Sequence, residues 1–257
     1  MALRRFLRFQ RGVAAPRFAE LFGDELQPLD RAPWEGGVPD GGRIALSEVT
    51  LLVPAEASKV VCIGQNYRKH AAEMGKPVPA EPLLFIKPST ALNPHGAPIR
   101  YPPDSEEVHH EAELGLVIGR RLSRASEAEA ADAIFALTCI NDVTARDIQR
   151  REIQHTRAKS YDTFACVGPW MVSGLSSADL RVQCRVDGQL RQDGRTSDMV
   201  FPPARLVSFI SKIMTLLPGD LVSTGTPSGV GPIRPGEVVE VEIEGIGTLR
   251  NTVEKVA

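Results

Sequence analysis

The frequent glycines and prolines along this chain constrain its fold more than any other feature. The 257 residues include 22 glycines and 20 prolines. Between them lie short apolar runs such as "KVVCIG" at 59–64 and "PLLFIKP" at 82–88, which are typical of short strands bounded by turns. This pattern excludes a helical bundle, and the chain has no serial strand–helix–strand order of the kind that builds a doubly wound sheet. We predict a β-rich α+β protein.

The pattern also predicts individual elements and two domains. Residues 1–55 form short strands and a Gly- and Pro-rich loop at 30–42, which indicates a small N-terminal β-rich domain before a main domain at 56–257. The main domain has a predicted buried strand that runs into a loop over 59–67, strands at 82–88 and 110–119, a short helix at 67–75 and a hairpin at 181–194 that turns at Asp187-Gly188. A further helix is predicted at 126–137, with Ser126 as N-cap and Glu129 completing a capping box.

Composition excludes several classes of partner. The net charge is −2 and 5% of the residues are aromatic, so neither a basic surface for nucleic acid nor a set of base-stacking side chains is predicted. No apolar run reaches the ~18–20 residues that a membrane span requires. The four cysteines show no metal-site spacing and suit buried, reduced thiols, from which we expect a cytoplasmic protein.

Three acidic residues are candidates for a metal site. Glu111 and Glu113 are two apart in a predicted strand and therefore share a face, although a solvated acidic edge has the same pattern. Asp142 follows the run "LTCIN" and would start a helix, on whose face Arg146 and Gln149 would also lie; a simple N-cap is the alternative. Three carboxylates without a Cys/His set suit Mg²⁺, with Mn²⁺ or Ca²⁺ as substitutes.

His70 and Glu73 are three apart on the predicted short helix. A carboxylate beside an imidazole fixes its tautomer and raises its basicity, which suits a general base near neutral pH. A solvent-exposed polar pair has the same spacing, so the sequence alone leaves both interpretations open.

Six segments from about Val60 to the C-terminus occur in a family-specific order. They are "GQNYRKHAAE", "FIKPS", "HHEAELGLVIG", "INDVTARDIQ", "AKSYDTFACVGP" and "GDLVSTGTPSGVG". With these segments the chain resembles the fumarylacetoacetate hydrolase superfamily, and within it the 2-hydroxyhepta-2,4-diene-1,7-dioate isomerases and acylpyruvate hydrolases. The resemblance implies a mixed β-sandwich roll of the fumarylacetoacetate hydrolase C-terminal type and a homodimer.

The resemblance also implies roles for individual residues. Glu111, Glu113 and Asp142 would bind the metal, and the pair His70–Glu73 would activate water or move a proton. Lys159 would stabilise negative charge on an enolate or oxyanion. The implied substrate-binding residues are Lys87, Arg146, Gln149 and Thr226.

These roles imply an enzyme that acts on small 2-oxo or 2-enol (di)carboxylic acids through an enolate. We expect an isomerase of the 2-hydroxyhepta-2,4-diene-1,7-dioate (5-carboxymethyl-2-hydroxymuconate) type in aromatic catabolism. Alternatives are an acylpyruvate or fumarylpyruvate hydrolase, an oxaloacetate decarboxylase, or a non-catalytic metal-binding scaffold. The stretch 149–159 is shorter than in some acylpyruvate-cleaving relatives, and such a difference in a lid affects specificity.

Overall fold

The protein is described by a computed structural model that covers residues 2–73, 75 and 77–256. Met74, which belongs to the short helix predicted at 67–75, lies outside the described residues. The strands are β1 (Arg4–Gln10), β2 (Arg17–Phe22), β3 (Glu25–Pro28), β4 (Ile44–Ala45), β5 (Thr50–Leu52), β6 (Lys59–Gly64), β7 (Leu83–Pro88), β8 (Leu92–Pro94), β9 (Ile99–Tyr101), β10 (Val108–His110), β11 (Ala112–Ile118), β12 (Ile134–Asp142), β13 (Thr144–Ala145), β14 (Ala165–Ser173), β15 (Arg181–Val186), β16 (Gln189–Arg195), β17 (Leu221–Ser223), β18 (Gly231–Ile233), β19 (Val238–Ile243) and β20 (Gly247–Lys255). The α-helices are α1 (Arg68–Glu73), α2 (Glu127–Ala133), α3 (Arg146–Arg151), α4 (Thr156–Lys159) and α5 (Pro203–Ile213).

The described residues form three sheets. The largest has the order β4-β3-β2-β1-β14-β12-β11-β17-β6-β7, with β5 on β1 and β8 on β14. A second sheet has the order β16-β15-β19-β20-β9, and β13, β10 and β18 form a third. Apolar side chains of β11, such as Leu114 and Leu116, share one buried cluster with Val239 and Val241 of β19. This layered, strand-rich architecture confirms the predicted fold class.

The N-terminal strands continue the large sheet. β1 pairs antiparallel with β14, with Arg4 opposite Ser173 and Phe6 opposite Met171. Phe6 also packs in a buried cluster with Val167 and Met171. The division into two domains between residues 55 and 56 therefore stays a prediction. Strands on the two sides of this position are hydrogen-bonded to each other and pack in one hydrophobic core.

Several local predictions are confirmed and two need correction. The hairpin turns at Asp187-Gly188, where both residues have positive φ, and Ser126 and Glu129 form the capping box. However, α2 ends at Ala133 and not at Leu137, because the residues from Ile134 onward pair with β11 as strand β12, which is buried from Ala136 onward.

The second correction concerns Asp142. This residue ends β12, while α3 starts at Arg146 with Ala145 as its N-cap. Asp142 is therefore not on a helical face with Arg146 and Gln149. The intervening residues form β13, which pairs with β10.

All four cysteines are free and buried, as predicted. Among the described residues, no helix is both long enough and apolar enough to cross a bilayer.

Candidate active site and metal centre

The pairing of β11 with β12 brings the three predicted acids together. Ala112 lies opposite Asn141, and the backbone N–H of Asp142 donates to the carbonyl oxygen of Glu111 at 2.9 Å. Glu111 occupies the single residue between β10 and β11, and Glu113 follows two residues later on β11. One carboxylate oxygen from each acid lies within 4.8 Å of the others, and all three side chains are buried. We call this cluster the carboxylate triad.

Basic side chains neutralise two members of the triad. The Nζ of Lys159 lies 2.7 Å from Oε2 of Glu111 and 2.7 Å from Oδ2 of Asp142. Lys87 donates to the other oxygen of Asp142, and Arg146 donates to the other oxygen of Glu111. Burial alone would raise the pKa of Glu111, but Lys159 and Arg146 outweigh it and hold that pKa below its ordinary value.

Glu113 has a different environment. Its Oε2 accepts hydrogen bonds from the Oγ of Ser223 at 2.6 Å and from the backbone N–H of Gly225 at 2.7 Å. No basic side chain in the described part of the chain forms an ion pair with it. Burial, with the nearby charges of Asp142 and Glu111, raises the pKa of Glu113 to about 8.

This donor set fits a divalent cation. The three acids offer hard carboxylate oxygens and no sulfur or imidazole, which is the ligand type that Mg²⁺ and Mn²⁺ prefer. Among the described residues Glu113 forms no ion pair, and the nearby charge of Lys159 lowers its pKa too little to offset burial and the charges of Asp142 and Glu111, so a further positive charge would stabilise its ionised form. A divalent ion held by Glu111, Glu113 and Asp142 would supply that charge.

His70 and Glu73 form a hydrogen-bonded pair on α1. The Nδ1 of His70 lies 3.0 Å from Oε2 of Glu73, and the backbone N–H of Gly229 donates to Oε1 of Glu73 at 3.0 Å. The carboxylate accepts the Nδ1 proton, so Nε2 is the nitrogen that remains for a ligand. His70 lines the same cavity as the triad, so the pair lies beside the candidate metal centre, where a general base would be placed.

The cavity has a volume of about 1460 Å³. The charged triad and Lys159 line part of its wall, while Leu83 and Phe85 of β7 and residues 149, 150 and 152–156 line other parts. The Nζ of Lys159 lies 5.0 Å from the centre of the Phe85 ring. The space is enough for a small carboxylic acid together with a longer substituent.

The predicted substrate residues occupy three different positions. Arg146 and Gln149 line the cavity and are hydrogen-bonded to each other. The Thr226 hydroxyl donates its proton to the carbonyl oxygen of Ala112 at 2.8 Å, so a carboxylate contact at this position would depend on backbone N–H groups. Lys87 is fully buried, and its Nζ also donates to the backbone oxygens of Val143 and Phe164.

The structure adds residues that the sequence did not single out. Ser223 and Gly225 hold Glu113, and Gly229 holds Glu73. All three lie in or beside the stretch "STGTPSGVG", whose glycines were visible in the sequence but whose partners were not. His109 accepts from the Nε of Arg146 at 3.4 Å, and its Nε2 lies 2.8 Å from Glu107.

Comparison with known proteins gives two family matches. Residues 59–254 match the fumarylacetoacetate (FAA) hydrolase C-terminal family, and residues 4–54 match the Rv2993c-like N-terminal family. A Mycobacterium tuberculosis relative, Protein Rv2993c, is 51% identical over 211 residues, which cover 81% of this chain and 80% of the relative.

Two further relatives have named activities. The mitochondrial oxaloacetate tautomerase FAHD1 of Pongo abelii is 42% identical over 203 residues, covering 76% of this chain and 91% of that protein. The crystal structure of 2-hydroxyhepta-2,4-diene-1,7-dioate isomerase from Mycobacterium marinum superimposes with a TM-score of 0.91 at 42% identity and covers 98% of each chain. Together with the family match over residues 59–254, these likenesses establish that this chain belongs to the fumarylacetoacetate hydrolase family.

Proposed function

We propose that this protein is a Mg²⁺- or Mn²⁺-dependent enzyme that interconverts the keto and enol forms of small 2-oxo dicarboxylic acids, with oxaloacetate as the simplest substrate. One observation carries the proposal: a buried carboxylate triad and the pair His70–Glu73 line one cavity. The named activity of the FAHD1 relative supports the choice of substrate class.

Each part of the site has a task in this reaction. Glu111, Glu113 and Asp142 would hold a divalent ion, which when bound would supply a Lewis acid for the keto group of a 2-oxo acid. His70, oriented by Glu73, takes the proton from the carbon next to the keto group, the enolate oxygen gains a proton from His70 or from water, and the reverse transfers restore the keto form. The ammonium of Lys159 stabilises the negative charge that develops on the keto oxygen.

A second candidate reaction uses the same groups. If the 2-hydroxyl of a conjugated dienol loses its proton and a proton is delivered to a more distant carbon, the outcome is isomerisation of a 2-hydroxyhepta-2,4-diene-1,7-dioate. The likeness to the Mycobacterium marinum isomerase over 98% of each chain favours this candidate, as does a cavity of about 1460 Å³. A cytoplasmic homodimer remains our prediction from the sequence.

Ultraviolet absorbance of the enol tests the proposal. With Mn²⁺, the protein is expected to speed the approach of oxaloacetate to its keto–enol equilibrium without releasing pyruvate, and a chelator is expected to abolish the effect. The same assay with 5-carboxymethyl-2-hydroxymuconate tests the isomerase.

The alternatives give different results. Rapid release of pyruvate from oxaloacetate or from an acylpyruvate would replace the proposal with a decarboxylase or a C–C hydrolase. Tight Mn²⁺ binding with no change in any 2-oxo acid would instead identify a metal-binding scaffold. His70→Ala is expected to lose turnover if the pair His70–Glu73 moves the proton. His95→Ala is its matched control, because His95 lies outside the residues that line the cavity.

A further inference from the structure

Gln192 of β16 is completely buried, which is uncommon for a glutamine. Its Oε1 accepts a hydrogen bond from the backbone N–H of Ala112 at 2.9 Å and lies 2.9 Å from the Nδ1 of His110. Since an amide oxygen only accepts, His110 carries its proton on Nδ1. The Oε1 therefore holds the residues on both sides of Glu111.

The other end of the same amide reaches the glycine-rich loop. The Nε2 of Gln192 donates to the Oγ1 of Thr226 at 2.7 Å and to the carbonyl oxygen of Pro227 at 2.9 Å. Both lone pairs of the amide oxygen and both N–H groups of the amide nitrogen thus have a hydrogen-bond partner. The orientation of the amide is fixed, because the N–H of Ala112 only donates and the carbonyl of Pro227 only accepts.

Close packing reinforces this connection. A Cβ added at Gly194 would lie 2.5 Å from the Cβ of Pro227. A Cβ at Gly229 would lie 2.2 Å from the carbonyl oxygen of Arg191. The strand β16 and the loop 226–229 therefore approach each other more closely than side chains would allow, and Gln192 supplies the polar contacts between them.

These contacts join two segments of the active site. The segment around Glu111 carries the triad, and the loop provides Gly225, whose N–H holds Glu113, and Gly229, whose N–H holds Glu73. We propose that Gln192 is a positioning residue that sets the spacing between the triad strand and the glycine-rich loop, and thereby the geometry in which the triad binds a divalent ion. The inference rests on the proposed function in assuming that the triad binds such an ion.

Two substitutions distinguish the contributions of the oxygen and the nitrogen of the Gln192 amide. Gln192→Met is close in volume and removes all four hydrogen bonds. Gln192→Glu keeps an oxygen for Ala112 and His110 but loses at least one of the donors to Thr226 and Pro227. Gln183→Met is the matched control, because Gln183 is also buried in this hairpin but its side chain contacts Arg185 and Asp193.

Mn²⁺ affinity, measured by calorimetry on the full chain with Mn²⁺ alone, is the first readout. Substitution of a residue that supports metal ligands commonly lowers metal affinity by about 10–100-fold. We expect a loss of Mn²⁺ affinity in this range for Gln192→Met and none for Gln183→Met. For Gln192→Glu we expect Mn²⁺ affinity closer to that of the parent but a raised KM, because the strand stays held while the loop is released.

Circular dichroism and thermal unfolding establish whether each variant is folded. A folded Gln192→Met protein that binds Mn²⁺ as tightly as the parent would overturn the inference. If Gln192→Met does not fold, a Gln192→Glu protein with the parent's KM and Mn²⁺ affinity would overturn it equally. If the parent itself binds no Mn²⁺, the proposed function fails first, so the two failures are distinguishable.

Discussion

The Nζ of Lys159 lies 2.7 Å from the Oδ2 of Asp142, in a part of the molecule that excludes solvent. The same ammonium lies 2.7 Å from Oε2 of Glu111. It therefore bridges two of the three acids in the carboxylate triad and lies next to any ion that the triad binds. Burial works against the charged ammonium, but Asp142 and Glu111 outweigh it and raise the pKa of Lys159. Lys159 is thus charged at neutral pH.

Lys159→Met is expected to impair both stability and turnover. Removing one partner of a buried ion pair costs about 3–5 kcal/mol, so the ion-free variant should unfold at lower temperature. Because Glu111 and Asp142 would then repel each other more strongly, Mn²⁺ should raise the melting temperature of the variant more than that of the parent. Lys59→Met, which breaks the distant pair with Asp220, is the control that should lose stability but keep kcat. Equal Mn²⁺ effects on the parent and Lys159→Met would contradict this account.

The raised pKa of Glu113 predicts that Mn²⁺ binding depends on pH. Its pKa is raised from 4.5 to about 8, so the ion-free folded protein keeps this proton in a range where the unfolded chain has lost it. Stability without an ion should therefore fall as pH rises from 4.5 to about 8. Because the ion displaces the proton, Mn²⁺ affinity should rise by up to about tenfold per pH unit below pH 8 and then level off.

Calorimetric titrations with Mn²⁺ across this pH range test that dependence. Glu113→Gln should abolish activity, weaken Mn²⁺ binding and flatten the pH profile. Glu106→Gln is the control, because Glu106 is exposed. A steep profile that survives in Glu113→Gln would assign the titration to another group.

His70→Ala separates proton transfer from ion binding. The imidazole of His70 is hydrogen-bonded to Glu73. Among the described residues it forms no hydrogen bond with a member of the triad, so Mn²⁺ affinity should be unchanged. Loss of a general base typically costs about 10²–10⁴ in rate, and kcat should fall by that factor. A variant that turns over at nearly the parent's rate would show that the base is a different residue.

Gly229→Ala tests whether the hydrogen bond from Gly229 to Glu73 supports the general base His70. Gly229 has a φ of +96°, and an added Cβ would lie 2.2 Å from the carbonyl oxygen of Arg191. Gly236 has a φ of +97° but no atom within 4 Å of an added Cβ, so Gly236→Ala should cost only the ~1–2 kcal/mol of a left-handed backbone. Gly229→Ala should lose more stability and also lower kcat, because its N–H can no longer hold Glu73. Equal losses in the two variants, measured by chemical denaturation and steady-state kinetics, would contradict the role of Gly229.

Local patterns predicted much of the fold. Glycine and proline spacing predicted the short strands, and Asp187-Gly188 and the Ser126–Glu129 capping box were correctly identified because each depends on adjacent residues. The end of α2 was misplaced for the opposite reason. Alanine-rich sequence favours helix, but the pairing of Leu137 with Leu116 in the sheet draws that segment into β12.

The candidate site was predictable only in part. Glu111 and Glu113 share a face by their spacing, but their distance from Asp142 depends on the register of β11 against β12, which places Ala112 opposite Asn141. The contacts of Gln192 with Ala112 and Thr226 join residues 80 and 34 apart. Such long-range hydrogen bonds leave no periodic trace in the sequence.

A crystal structure of the protein with Mn²⁺ and oxalate, analysed by anomalous scattering, is the most direct test of the central claim. We predict one anomalous peak in the cavity, about 2.0–2.6 Å from a carboxylate oxygen of each of Glu111, Glu113 and Asp142. A peak at another position, or a triad that binds no ion while Lys159 keeps its bridge, would contradict the account.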